Sequence, residues 1–243
     1  MKDQTESFNE DLSSPAKDSS LSDQIYRQIK NRIIFCHYVP GQFLTESMLA
    51  KDFAVSKTPI KAAIRMLINE GWLEAAFRCK TRVSDVTAED IRNIYEIRLL
   101  IEGYAIDQIF HRQLALEYAG RLSEKIRIAR SNADTLASFL TQERMIHNEL
   151  IQVCQNRRII NVYQNVHDEM MRVSSIYYLM RDDFETMDFH SEIDFWWDRV
   201  VILFKEKNYD EAKYLISSHL RKGQNNALEA LEKWNQSEYR AAK

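Results

Sequence analysis

Apolar residues recur at helical spacing along most of the chain, in runs separated by short polar breaks. Residues 1–20 are the exception. They are rich in Ser, Asp, Glu and Lys and nearly devoid of large apolar groups, which predicts a disordered arm. Beyond it, Ile25, Ile29, Ile33 and Ile34 mark a helix that ends near residue 35, with Ser22 as its N-cap. Val39-Pro40-Gly41 predicts a turn. Thr45 caps a short helix over residues 46–53, with Leu49 and Ala50 inward. After the break Ala54-Val55-Ser56, a third helix runs from residue 58 to about 70, with Ser56 or Lys57 at its cap. It turns Ile60, Ala63, Ile64 and Leu67 to one face, and Gly71 ends it. Residues 72–76 and 81–83 read as two short strands flanking a basic tip.

From residue 87 the pattern is purely helical. Thr87 and Asp90 have the spacing of a capping box, with Asp in place of the usual Glu or Gln. Six helices follow, over about 88–111, 114–131, 134–154, 157–181, 188–207 and 209–235. No proline after Pro59 interrupts them, and connections this short make antiparallel neighbours. The fold class is therefore mainly α: an N-terminal winged helix-turn-helix followed by an antiparallel all-α helical bundle. The domains are a disordered arm (1–20), a winged helix-turn-helix (21–86) and a helical effector-binding and dimerisation domain (87–236).

Charge sharpens this picture. The whole chain is −3, yet residues 21–86 hold ten Lys/Arg against six Asp/Glu, a net of +4 that leaves −7 for the rest. A basic head on an acidic body suits a protein in which one domain meets phosphates. No apolar run is long enough to span a bilayer, and the N-terminus is polar and acidic, which points to a cytoplasmic protein without membrane contact. Cys36, Cys79 and Cys154 lack metal-ligand spacing and read as reduced thiols.

A helix-turn-helix holds its second helix in the major groove of double-stranded DNA. Ser56, Lys57 and Thr58 project from the N-terminus of that helix, where unpaired N–H groups favour phosphate. Lys57 and Lys61 are four apart on one face and reach the groove together. Arg65, one turn on, suits backbone contact. Arg78, Lys80 and Arg82 suit phosphate or minor-groove contact from the wing. In the bundle, Glu143 and His147 stand at i, i+4 on one face, a spacing that chelates one metal ion. His37, His111 and His167 lack acidic or histidine partners at useful spacing and read as surface or satisfied polar residues.

These segments resemble a known family. Val39-Pro40-Gly41, Leu49-Ala50, the run from Val55 to Lys61, and Glu70-Gly71-Trp72-Leu73 resemble the GntR family of bacterial transcription regulators. The body is similar to the FadR-type (FCD) effector domain in Tyr95-Glu96-Ile97-Arg98 with Glu102, in Glu143/His147, in the break at Asn156 and in Ser218-His219-Leu220. The resemblance implies a homodimer on a two-fold-related operator, releasing or changing its grip when a small carboxylate or acyl metabolite fills the bundle. It implies Arg98, Glu143, His147, Trp197 and His219 as effector-binding residues, with Arg98 anchoring an anion. Metal-binding relatives carry an Asp and three His; here Glu143, His147 and His219 match, while Trp197 falls where the remaining His stands. Three ligands with an open place hold zinc or another divalent ion, whereas the indole favours a hydrogen-bonded polar cluster, and both readings stay open. His190, two turns from Trp197, is a poor substitute. Lysines stand at positions 57 and 61 where relatives carry arginine, which costs the bidentate fork to guanine. The tip from Phe77 to Lys80 lacks the glycine many relatives have.

Two other functions compete. One is a metal-dependent hydrolase using Glu143, His147 and His219. The other is a helical scaffold that has lost DNA binding.

Overall fold

A computed structural model describes residues 20–76, 80–189 and 195–237. The expected arm falls almost wholly outside these residues, and so do Arg78, Cys79 and His190. The described residues form two compact units, one of residues up to 31 with 43–82, the other of 32–42 with 83 onward. Segment 32–42 thus groups with the bundle rather than with the head. The reason is packing: Cys36 is buried with Ile176 and Trp234, and Val39 and Val86 lie against the same cluster.

The first unit is built on helix α1 (Leu21–Ile34), strand β1 (Phe43–Thr45), helices α2 (Glu46–Asp52) and α3 (Lys57–Asn69), and strands β2 (Leu73–Ala76) and β3 (Lys80–Val83). The N-cap of α1 is Ser20, not Ser22: the Asp23 N–H donates to Ser20 Oγ at 3.2 Å, and the Asp23 carboxylate accepts from Ser20 in return. Strand β1 was not anticipated. It pairs antiparallel with β3, Leu44 opposite Thr81, in a sheet ordered β1-β3-β2. Ile25, Ile29, Leu44, Leu49, Ile60, Ala63, Leu67 and Leu73 make a core with almost no solvent exposure. The Tyr26 hydroxyl, donating to the Glu70 carboxylate, and Lys30, 3.3 Å from it, tie α1 to the end of α3.

The second unit carries the long helices α4 (Ala88–His111), α5 (Ala115–Ser131), α6 (Leu136–Ile151), α7 (Arg157–Leu179), α8 (Phe195–Lys205) and α9 (Tyr209–Gln236). Single-turn 3₁₀ segments follow α6 (Gln152–Cys154) and precede α8 (Phe184–Thr186). The Thr87–Asp90 capping box starts α4, and the Asn156 side chain caps α7 by accepting from the Arg158 and Ile159 amides. Helix α4 packs along α9 and α7, while α5 lies against α8 and α6. Arg144–Asp168 (2.8 Å) joins α6 to α7, and Lys213–Asp107 (2.7 Å) joins α9 to α4. Arg172 of α7 donates to the Ser84 carbonyl in the stretch leading into α4. Among the described residues, no helix is long and apolar enough to cross a membrane.

Candidate functional site

In the first unit, backbone geometry sets the angle of α3. Helix α2 closes in a left-handed turn at Ala54 (φ 52°), where the Val55 N–H donates to the Ala50 carbonyl at 3.0 Å. Ser56 then takes the N-cap position of α3 with extended backbone, but its hydroxyl makes no capping bond. The first-turn amides therefore lack the usual side-chain acceptor, and Pro59 contributes no N–H to that turn. Gly71 (φ 81°) ends the helix as expected, with the Trp72 N–H reaching back to Leu67 at 2.9 Å. Ser56, Lys57, Thr58, Lys61 and Arg65 are all exposed along one flank, while Ile60, Ala63, Ile64 and Leu67 are buried on the other. Lys61 stands 3.6 Å from the Glu46 carboxylate. On the wing, Lys80 is exposed, with its ammonium 5.8 Å from the Phe43 ring. Arg82 is half-buried and turned along the sheet to Glu74 at 3.5 Å.

In the second unit, α4, α6, α7 and α9 enclose a cavity of about 300 Å³. A buried polar network lies at one part of its wall. Glu102, with no exposed surface, accepts from Arg98 Nε (2.8 Å), the Tyr163 hydroxyl (2.8 Å) and His147 Nδ1 (2.9 Å). Because Nδ1–H donates to Glu102, Nε2 is the ring's acceptor; Arg98 Nη2 lies 3.3 Å from both ring nitrogens. Burial alone would raise the Glu102 carboxyl; the Arg98 guanidinium and then His147 overcome this and hold it well below the usual range. Burial, reinforced by the Arg98 guanidinium and opposed by the Glu102 carboxylate, lowers all three neighbouring imidazoles. His147 is lowered, His167 is lowered well below its ordinary value, and His219 falls to about 3.

Arg98, Glu143, His147 and His219 all face this cavity. Trp197 does not. It is fully buried behind His147, edge-on to that ring at 4.9 Å. It packs the back of the site rather than lining it. The metal set fares differently again. His219 is stacked on Trp196 at 3.8 Å, Glu143 is 4.0 Å from His147 Nε2, and a guanidinium already stands at that imidazole. Among the described residues, no group of three or more His, Cys, Asp or Glu side chains is disposed to hold a metal ion. Glu143, His147 and His219 share the cavity, with the Glu143 carboxylate 4.0 Å from His147 Nε2 and the two imidazole centroids 6.0 Å apart, while the Arg98 guanidinium and the Trp196 ring stand against the two imidazoles. The hydrolase reading, which needs that set as metal ligands, is not favoured by this arrangement.

His167 overturns its sequence reading most clearly. It is 4% exposed, faces the cavity, and among the described residues neither ring nitrogen has a hydrogen-bond partner. Other wall residues were missed or left without a role: Tyr95, Phe139, Ser174, Arg181, Lys222 and Asn226. On α7 a signal existed. Positions 163, 167, 170, 174 and 177 follow a spacing of three and four, a stripe that mixes Tyr, His, Met and Ser rather than aliphatics.

Comparison with known proteins agrees with this architecture. The family model "Bacterial regulatory proteins, gntR family" matches residues 21–83, and the FCD domain model matches residues 93–222. The uncharacterized HTH-type transcriptional regulator YdhC of Bacillus subtilis is 29% identical over 60% of this chain and 66% of its own, just under two thirds. The gluconate operon transcriptional repressor of the same organism is 24% identical over 67% of this chain and 68% of its own. Among solved structures, E. coli McbR/YncC shares the fold with a TM-score of 0.64 and 17% identity, over 87% of this chain and 99% of that one. A GntR regulator from Rhodococcus sp. RHA1 does so with a TM-score of 0.64 and 20% identity, over 87% and 99%. With a gntR-type winged helix-turn-helix ahead of an FCD bundle, the chain belongs to the GntR family of bacterial transcriptional regulators, in the group that carries an FCD domain.

Proposed function

We propose that the chain is an operator-binding regulator, acting as a homodimer in the cytoplasm, whose grip on DNA is set by a small metabolite in the bundle cavity. The observation that carries the DNA half is the exposed flank of α3. Ser56, Lys57, Thr58, Lys61 and Arg65 stand free of the core on a helix that follows a tight left-handed turn. Lys57 and Lys61 enter the major groove as point charges, Arg65 takes the phosphate backbone, and Lys80 extends the footprint from the wing. Arg82, held by Glu74, contributes less.

The sensing half rests on the cavity. Arg98, Arg181 and Lys222 bring three cations to its wall, and Glu143 is the acidic side chain among the described wall residues. Phe139, Leu140, Met170, Met171 and Tyr178 supply an apolar side. This lining suits a carboxylate with an apolar body. Gating requires that the ligand bind the operator-competent and operator-incompetent arrangements with different affinity.

The test is selection of sites from a random duplex pool by the full-length protein at low salt. Enrichment of two half-sites related by a two-fold axis is expected. Recovery of unenriched sequence would sink the reading.

A further inference from the structure

His167 is a buried imidazole whose ring nitrogens have no hydrogen-bond partner among the described residues. Burial of a polar ring without partners costs stability, and native proteins keep such groups where something else benefits. Here the ring looks into the cavity from the middle of α7, 5.5 Å from the Tyr163 ring and 6.1 Å from His147. The neighbouring polar groups are otherwise engaged: Tyr163 and His147 donate to Glu102, and His219 lies flat against Trp196. A neutral imidazole offers one N–H and one lone pair. Lys222 and Arg98, the latter paired with Glu102, share the cavity wall with it, as does the carboxylate of Glu143.

We propose that His167 is a specificity-determining residue of the cavity, donating its ring N–H to a carboxylate oxygen of the bound ligand. The inference rests on the reading of the cavity as a ligand site. It adds the residue that reads the ligand's polar end, which Arg98 alone, neutralised by Glu102, does not do. In the free protein His167 is a destabilising element retained for binding, so two properties move in opposite directions when it is replaced.

The experiment follows thermal unfolding of the full-length protein, free and with 10 mM benzoate or hexanoate as flat and flexible carboxylate probes, and benzamide as the uncharged control. In His167→Leu, the free protein's Tm is expected to rise by about 5 °C, since an unpaired polar group is removed. The rise in Tm that at least one carboxylate gives the parent protein should disappear, while His167→Gln, which keeps a donor, retains it and benzamide produces none. A lower free Tm in His167→Leu would show an ordinary structural residue and overturn the proposal. An undiminished carboxylate shift in His167→Leu would overturn it too, as would the absence of a shift with either carboxylate in the parent. None of these outcomes touches operator selection, so failure of the regulator reading is recognised separately: the duplex pool stays unenriched whatever the probes do.

Discussion

Replacing Glu102 is the severest single test of how the bundle is held around its cavity. The carboxylate has no exposed surface and accepts three hydrogen bonds, from Arg98, Tyr163 and His147, at 2.8–2.9 Å. Arg98 is 3% exposed, so Glu102→Leu leaves a guanidinium buried without its counter-charge. Breaking one side of a buried pair costs about 3–5 kcal/mol, and the two further stranded donors place this variant toward the upper end. Removing both charges in Arg98→Met/Glu102→Leu is expected to recover most of the loss, leaving about 1–2 kcal/mol for the unpaired Tyr163 hydroxyl and His147 N–H. Urea unfolding followed by circular dichroism, at one protein concentration and pH 7.5, gives both numbers and their coupling. A single variant that loses less than 1 kcal/mol, or a double variant no better than the single, would refute the view that charge pairing organises this network.

Three further outcomes are expected. His219 has a folded value near 3, below the ordinary imidazole value, so the unfolded chain protonates first; stability is complete above about pH 6.5 and is lost as pH falls toward 3. At pH 5 this residue alone removes about 2 kcal/mol, with His147 and His167 acting in the same direction. A urea midpoint unchanged between pH 7.5 and 5 would contradict it. In Gly223→Ala, the new Cβ would lie 2.8 Å from the hydroxyl of Tyr95, a ring only 2% exposed, so calorimetry should show a loss of about 1–3 kcal/mol despite alanine's better helix propensity. An unchanged or higher Tm would mean that Tyr95 moves freely. Ala54→Gly should stabilise the turn before α3 by about 1 kcal/mol, because alanine is held there at positive φ; a destabilised variant in chemical unfolding would speak against strain at that turn.

The helices were legible wherever a local signal marked them. The Thr87–Asp90 box and the left-handed Gly71 do in the structure what their spacing announces, and the break at Asn156 falls where that side chain caps the next helix. Strand β1 escaped because three residues carry no period of their own; its partner β3, 37 positions away, defines it. The bundle cavity was half legible. Glu143 and His147 share a helix, and i, i+4 spacing reveals such pairs. His167 meets His147 across two helices, which spacing along one chain does not encode, and its lack of local partners made it look incidental. The same limit misplaced Trp197: its neighbourhood with His147 was anticipated, but which face of α8 it occupies was not.

The measurement that bears most directly on the central claim is the affinity of the full-length protein for its own selected duplex, across a series of salt concentrations, with Lys57→Ala/Lys61→Ala in parallel. For the proposed homodimer the change removes four lysines from the footprint, so binding should weaken by roughly 100-fold or more, and the slope of log affinity against log salt should fall by up to about 4. Equal affinity and equal slope in the two proteins would mean that α3 does not face DNA, and the account of the head would be wrong.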